Sequence, residues 1–182
     1  MLRTTSALVS GLWLSATLTA CGGGGGMSQS TPEETARGYR QAVVDQEWSR
    51  AMGYLTRKAQ GEMVGAAYIT AAYGGQGHPE LAGSFQVLAE KHGVIDAKAD
   101  DMRERDDLTE ILVEMVEWIE TNLPEAQGGD AFGKIARDMQ QTEYADFEIE
   151  GDVARANWVL PDRTRRVSFR LIDGRWYLDG VA

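Results

Sequence analysis

The sequence predicts an α+β fold, with helices through about residue 140 followed by a curved antiparallel sheet of about four strands. Three observations predict it. Apolar residues recur three and four apart from Ala36 to Met139, the spacing of one helix face. After Gln141 the apolar period shortens to two, as in a half-buried strand. Gly151-Asp152 and Asp173-Gly174 then fall where two-residue hairpin turns would join such strands.

Residues 1–20 stand apart from this pattern. Met1-Leu2-Arg3 carries one positive charge and no acid, Ala7 to Leu18 is apolar or small, and Thr19 and Ala20 are small. That order describes a secretory signal peptide, and its apolar stretch falls short of the roughly 20 residues of a spanning helix. The only cysteine follows at once. Leu18-Thr19-Ala20-Cys21 resembles the lipobox of bacterial lipoproteins. The resemblance implies that the Cys21 thiol receives a diacylglyceryl group, that the leader is cut before it, and that the new amine takes a further acyl chain such as palmitate. The expected location is therefore a bacterial cell envelope, with the membrane as a partner through acyl chains on Cys21. Gly22 stands where an aspartate would favour inner-membrane retention in that family, which points to the outer membrane facing the periplasm. Each buried methylene contributes about 0.8 kcal/mol, so two or three chains hold where one holds marginally.

Gly22 to Gly26 make a flexible spacer. Extended through Ser30, residues 21–30 form a tether reaching about 30 Å. It is no phosphate loop, for no strand precedes it and no lysine follows. Residues 31–182 are expected to form a single globular domain.

Thr31 as N-cap, Pro32 in the first turn and Glu34 three residues after the cap open a helix through Asp45. A short helix near 47–55 would bury Trp48, Met52 and Leu55. A third, over 57–73, would turn Met63, Ala66, Ala67, Ile69 and Tyr73 inward. The segment 74–79 (Gly-Gly-Gln-Gly-His-Pro) breaks the pattern, and a helix over 80–92 offers Leu81, Phe85 and Leu88 before Gly93. The clearest helix spans 107–123, with Leu108, Ile111, Leu112, Met115 and Ile119 on one side and Glu110, Glu114 and Glu117 opposite. Pro124 stops it, and a helix over 130–140 carries Phe132, Ile135 and Met139.

Strands are expected at 143–150, 153–160, 165–172 and 175–180, the middle two joined by a four-residue loop, Pro161 to Thr164. Regular pairing from these turns aligns Ile149, Ala154, Leu171 and Trp176 in one row. The next holds Phe147, Ala156, Phe169 and Leu178, and a third holds Ala145, Trp158, Val167 and Gly180. All are apolar or small, whereas the opposite face aligns Glu148, Arg155, Arg170 and Tyr177, then Asp146, Asn157, Ser168 and Asp179, so that charges of opposite sign meet across strands.

Helices followed by a sheet that ends in Val167-Ser168-Phe169-Arg170-Leu171-Ile172-Asp173-Gly174-Arg175-Trp176-Tyr177-Leu178 are similar to the nuclear transport factor 2-like superfamily, an α+β cone of cystatin-like kind. Pro32-Glu33-Glu34, then Asp45-Gln46-Glu47-Trp48 and Ala51 to Leu55, resembles the first two helices of envelope lipoproteins with that fold. The resemblance implies a cone that encloses a pocket; residues 75–141 depart from the family's pattern and read as a helical middle insertion. Its enzymes, the ketosteroid isomerases and polyketide cyclases, hold an aspartate, histidine or tyrosine inside the cone. The register above puts no Asp, Glu, His or Tyr in the three inner rows. The reading is therefore a non-enzymatic binding or accessory domain, with an envelope enzyme of that type on a hydrophobic small molecule as the alternative.

The ligand pocket candidates are Phe147, Trp158, Val167, Phe169, Leu171, Trp176 and Leu178, residues that would otherwise be ordinary core. The implied partner is a small apolar ligand or an envelope protein. With 28 acidic residues against 18 basic ones and a net charge of −10, the chain lacks the basic face nucleic acid requires. His78 and His92 lack the spacing of a zinc-binding helix, and read as surface or helix-capping residues. Asp100-Asp101 and Asp106-Asp107 lack the glycine and terminal glutamate of a calcium loop. No metal, cofactor or catalytic residue is expected, and once Cys21 is acylated no thiol nucleophile remains.

Overall fold

The computed structural model describes residues 28–95, 97 and 99–181; the leader, Cys21 and the glycines of the tether lie outside the described residues. The architecture is α+β. Seven α-helices among the described residues precede one antiparallel sheet: α1 (Pro32–Val44), α2 (Trp48–Met52), α3 (Arg57–Gly74), α4 (Pro79–Lys91), α5 (Ala99–Arg103), α6 (Leu108–Asn122) and α7 (Ala131–Gln140). The strands β1 (Glu143–Glu150), β2 (Val153–Val159), β3 (Thr164–Ile172) and β4 (Arg175–Val181) lie in the order β1-β2-β3-β4.

The helix starts follow from capping. Thr31 Oγ1 accepts from the Glu34 N–H at 3.2 Å, and Pro32 sits in the first turn, where its missing N–H costs nothing. Thr56 repeats the cap on α3 through the Ala59 N–H at 3.3 Å. The α6 stripe is inward as expected, with Leu108, Ile111, Leu112, Met115 and Ile119 fully buried.

Two helices are rotated from expectation. On α3 the buried residues are Ala59, Val64, Ala67, Ala71 and Gly74, while Ile69 and Tyr73 are 56% and 67% exposed. The cause is close packing. α3 lies against α6 and the chain that follows it through small residues, and a Cβ at Gly74 would strike the Leu123 side chain. On α7, Phe132, Ala136 and Met139 point inward and Ile135 is exposed. Phe132 stands edge-on to Trp48 with ring centroids 5.2 Å apart, and that contact sets the rotation. The sequence reading also missed α5, a five-residue helix. It packs beside α3, where a Cβ placed on Gly61 would lie 3.6 Å from Met102 Cβ, an ordinary contact distance.

The strands form where expected, but the register differs in three places. Asp173 and Gly174 both take positive φ, as a type I′ turn requires, and Leu171 faces Trp176 as anticipated. Between β2 and β3 the turn is tighter than a four-residue loop: the Leu160 N–H donates to the Arg163 carbonyl at 2.8 Å. Ala154 consequently faces Phe169 and Ala156 faces Val167. This is a slip of two residues, which keeps every side chain on its face. In β1 the slip is one residue. The register shifts between Ala145 and Glu148, and Asp146 takes φ 54°, a left-handed conformation that aspartate tolerates better than most side chains. Tyr144, not Ala145, therefore faces Trp158. A second irregularity between Ser168 and Phe169 pairs Val167 with Val181 in place of Gly180.

One sheet face packs on the helices through Ala154, Ala156, Val167, Phe169, Trp176 and Leu178, all buried. The other is polar, with Arg155 on Glu150 at 3.1 Å, Arg170 on Asp179 at 3.7 Å, and Arg166 paired with Glu148. Residues 28–30, read from sequence as the end of the tether, belong to the folded layer: Gln29 is 4% exposed and its carbonyl accepts from the Trp176 N–H at 2.8 Å.

Trp176 is 6% exposed, whereas its neighbour Arg175 is exposed. Chemical denaturation is expected to show a loss of about 3–5 kcal/mol for Trp176→Ala and under about 0.5 kcal/mol for Arg175→Ala. Equal losses would contradict the facing assigned to β4.

Candidate functional site

The structure brings the seven pocket candidates together on the helix-facing side of the sheet. Val167, Phe169, Trp176 and Leu178 are buried in the main core, and Phe147, Trp158 and Leu171 are half-buried against it. Phe147 and Phe169 lie with ring centroids 5.8 Å apart. Phe147 also lines a groove of about 470 Å³ between α1 and β1, beside Ala36, Arg37, Arg40, Thr142 and Tyr144.

The β1 irregularity changes the chemistry of this face. Regular alternation left it without a titratable group, but the one-residue slip turns Tyr144 inward. Its ring stacks on Trp158 at 6.4 Å and meets Phe169 edge-on at 6.4 Å. Tyr39 of α1 also packs against the core. Burial pushes the Tyr39 hydroxyl up to about 12. Burial first, and then the neighbouring Tyr39, raise Tyr144 further still. Both stay protonated at neutral pH, so they can donate hydrogen bonds but cannot serve as bases. Arg40 is occupied, its Nε donating to the Met139 carbonyl at 3.0 Å and its Nη2 to the Gln140 carbonyl at 2.7 Å.

A second cavity lies on the far side of α3. It is a cleft of about 480 Å³ between α3 and the residues Val94, Ala97, Met102 and Arg103. Val64, Tyr68, Ile69, Val94, Ala97 and Met102 give it apolar walls, and Gly61 and Gly65 form a floor of bare backbone. Lys58, Glu62 and Arg103 stand at its rim, where Lys58 and Glu62 are 3.8 Å apart. No nucleophile paired with a base occurs among these residues. The sequence reading passed over this cleft. Its available signal was Gly61 and Gly65, four apart in a helix whose outward positions are also apolar.

His92 ends α4 and is buried. Its Nε2 is 3.0 Å from Glu114 Oε2, and Arg105 Nη2 donates to its carbonyl at 2.7 Å. The Glu114 carboxyl is held below its usual range by Lys91 first and then by His92. Committed to these contacts, His92 positions a loop. His78 is exposed, its Nε2 3.0 Å from Gln127 Nε2. Among the described residues no group of three His, Cys, Asp or Glu could hold a metal ion. Glu110 and Glu117 of the α6 acidic stripe are exposed. Compared with known proteins, the chain matches no family model, no curated protein and no solved structure.

The two inward tyrosines generate a pH dependence. Unfolded tyrosines ionise near pH 10, whereas Tyr39 ionises at about 12 in the folded state and Tyr144 above that. The folded protein thus binds more protons in that window, and stability falls as pH rises from about 10 toward 12. Ultraviolet titration is expected to show Tyr39 and Tyr144 ionising only as the fold opens, so that the delayed signal loses one tyrosine in Tyr144→Phe. Ionisation of both near pH 10 with the fold intact would contradict this packing.

Proposed function

We propose that this is a lipid-anchored protein of a bacterial cell envelope whose domain is a non-enzymatic binding or accessory module for a small apolar ligand or an envelope partner. The anchor half rests on Leu18-Thr19-Ala20-Cys21 behind a leader of the right architecture, and with it the outer-membrane, periplasm-facing location suggested by Gly22. The binding half is carried by the α3 cleft, whose volume of about 480 Å³ lies within the range of small-molecule sites, about 300–1,000 Å³. Its apolar walls and glycine floor favour an apolar guest, and the absence of a paired acid and base among the lining residues favours binding over turnover.

A cone of the nuclear transport factor 2-like kind remains part of this reading. Its supports are the helices-then-sheet order, α1 packed on the inner sheet face, and the Asp173-Gly174 hairpin before Trp176. The alternative, an envelope enzyme of the ketosteroid isomerase or polyketide cyclase type, draws on one observation. Tyr144 faces inward as a protonated hydroxyl, a group able to donate to a developing oxyanion.

The anchor is tested with a labelled fatty acid. Incorporation into the native protein is expected, with Cys21→Ser giving no label and either a soluble product or an uncleaved precursor. A native protein that takes up no label would contradict the anchor.

A further inference from the structure

The sheet has one closed edge and one open edge. Gln29, Tyr54 and Thr56 bond the outer side of β4. β1 pairs only with β2, and among the described residues no other backbone donor or acceptor bonds it. Glu150 and Val153 flank the two-residue turn and exchange bonds, so the next pair, Ile149 and Ala154, does not. The Leu171 N–H on the Asp152 carbonyl at 2.8 Å agrees, since it turns Asp152 and Ala154 toward β3. The Ile149 N–H and C=O therefore point off the sheet, beside a side chain that is 54% exposed. Such an edge is a template for another strand. Its two faces differ. Inward, half-buried Phe147 lines the groove of about 470 Å³ with Ala36 and Tyr144. Glu33 and Arg37 balance on the α1 wall, and Arg40 is held by the Met139 and Gln140 carbonyls. Outward, β1 carries Glu143, Asp146, Glu148 and Glu150 and no base. Arg166 and Arg155 of the same sheet match Glu148 and Glu150. Glu143 has no ion-pair partner among the described residues, and Asp146 accepts only from the neutral Asn157 amide at 2.9 Å.

We propose that β1 accepts an extended segment of a partner protein as a fifth strand, with lysine or arginine on its outward positions and apolar side chains on its inward ones. Backbone bonds at Ile149 supply the pairing, and an inward side chain beside Phe147 enters the groove. The left-handed backbone of Asp146 ends the ladder, so pairing is confined to 147–150. A basic residue beside Asp146 meets a carboxylate that no arginine of the sheet neutralises. A second copy of β1 is disfavoured at the same edge, because its four acids would face four more. The inference rests on the reading of the domain as a binding or accessory module, and it names the partner's chemistry. The chain toward Cys21 leaves beside β4, where Gln29 is seated. Three strand spacings put β1 about 14 Å from there, so the open edge lies away from the anchor.

The experiment uses the full chain in phosphatidylcholine nanodiscs and a fluorescent heptapeptide of alternating lysine and valine. Anisotropy gives the affinity, and hydrogen exchange read by mass spectrometry gives the place. Exchange over residues 143–150 is expected to slow at least about fivefold at saturation while that of β4 stays unchanged. Heptapeptides of alternating lysine and serine, or glutamate and valine, should each bind at least about tenfold more weakly. Ile149→Pro removes the open N–H without touching a ladder bond and should weaken binding at least about tenfold. Asp146→Asn keeps a residue that tolerates the left-handed backbone, and should weaken binding about two- to fivefold, the scale of one exposed charge contact. It carries the test if Ile149→Pro lowers the melting temperature. Equal binding by the lysine–serine peptide would mean attraction to net charge alone and overturn the strand. Equal binding by the glutamate–valine peptide would overturn the basic partner. Protection elsewhere on the domain would overturn this edge while leaving a partner-binding module. Concentration-dependent protection of β1 without peptide would make a second copy the occupant and overturn the partner. No binding by any peptide would overturn the proposal and the envelope-partner half of the reading, leaving the apolar ligand.

Discussion

The outer edge of β4 is where the helical layer and the sheet are joined. An edge strand presents a row of backbone donors and acceptors, and here three separate parts of the chain meet that need. The Trp176 N–H donates to the Gln29 carbonyl at 2.8 Å, and the Trp176 carbonyl accepts from Gln29 Nε2 and Thr35 Oγ1, each at 3.0 Å. Two residues on, the Leu178 N–H donates to the Tyr54 carbonyl at 2.9 Å, and its carbonyl accepts from the Thr56 N–H at 3.0 Å. Gln29, Thr35 and Thr56 are all buried, so each lost partner would leave a polar group unpaired at a cost of about 1–3 kcal/mol. The seam fixes the chain before α1, the first turn of α1, and the start of α3 against one strand.

The candidate site inherits its position from this seam. α3 begins at Arg57, directly after the Thr56 bond. A Cβ on Gly180, near the end of β4, would stand 3.4 Å from Glu62 Oε2 and 3.9 Å from Lys58 Nζ. The charged rim of the α3 cleft thus abuts the last residues of the sheet. On the other side of the layer, α1 covers the sheet face that holds Tyr144. The helix–sheet interior is therefore a packed core with a groove at its margin, and the α3 cleft lies outside it.

Much of the fold was legible in sequence, and what was not has identifiable physical causes. Caps at Thr31, the α6 stripe and the Asp173-Gly174 turn are local signals, and each is found as read. The α3 stripe was misread because hydrophobicity favours Ile69 and Tyr73 as core, whereas close helix approach required Ala67, Ala71 and Gly74. Alternation cannot register an inserted residue. The irregularity at Asp146 turned Tyr144 inward with no signal beyond an aspartate in mid-strand. The slip at Pro161 did no comparable harm, since two residues restore the face. Of the site, Gly61 and Gly65 were visible as glycines, but only the approach of Met102, Val94 and Ala97 makes them part of a cleft. The proposed anchor falls outside the described residues and rests on the sequence alone.

The seam is tested most directly by amide hydrogen exchange. With both edges of β4 bonded, the Trp176 and Leu178 amides are expected to exchange among the slowest in the protein, at rates set by global opening. They should match the Phe169 amide in the neighbouring central strand. If Trp176 and Leu178 exchanged as fast as the exposed edge of β1 while Phe169 stayed protected, the helical layer would not be joined to the sheet in this way.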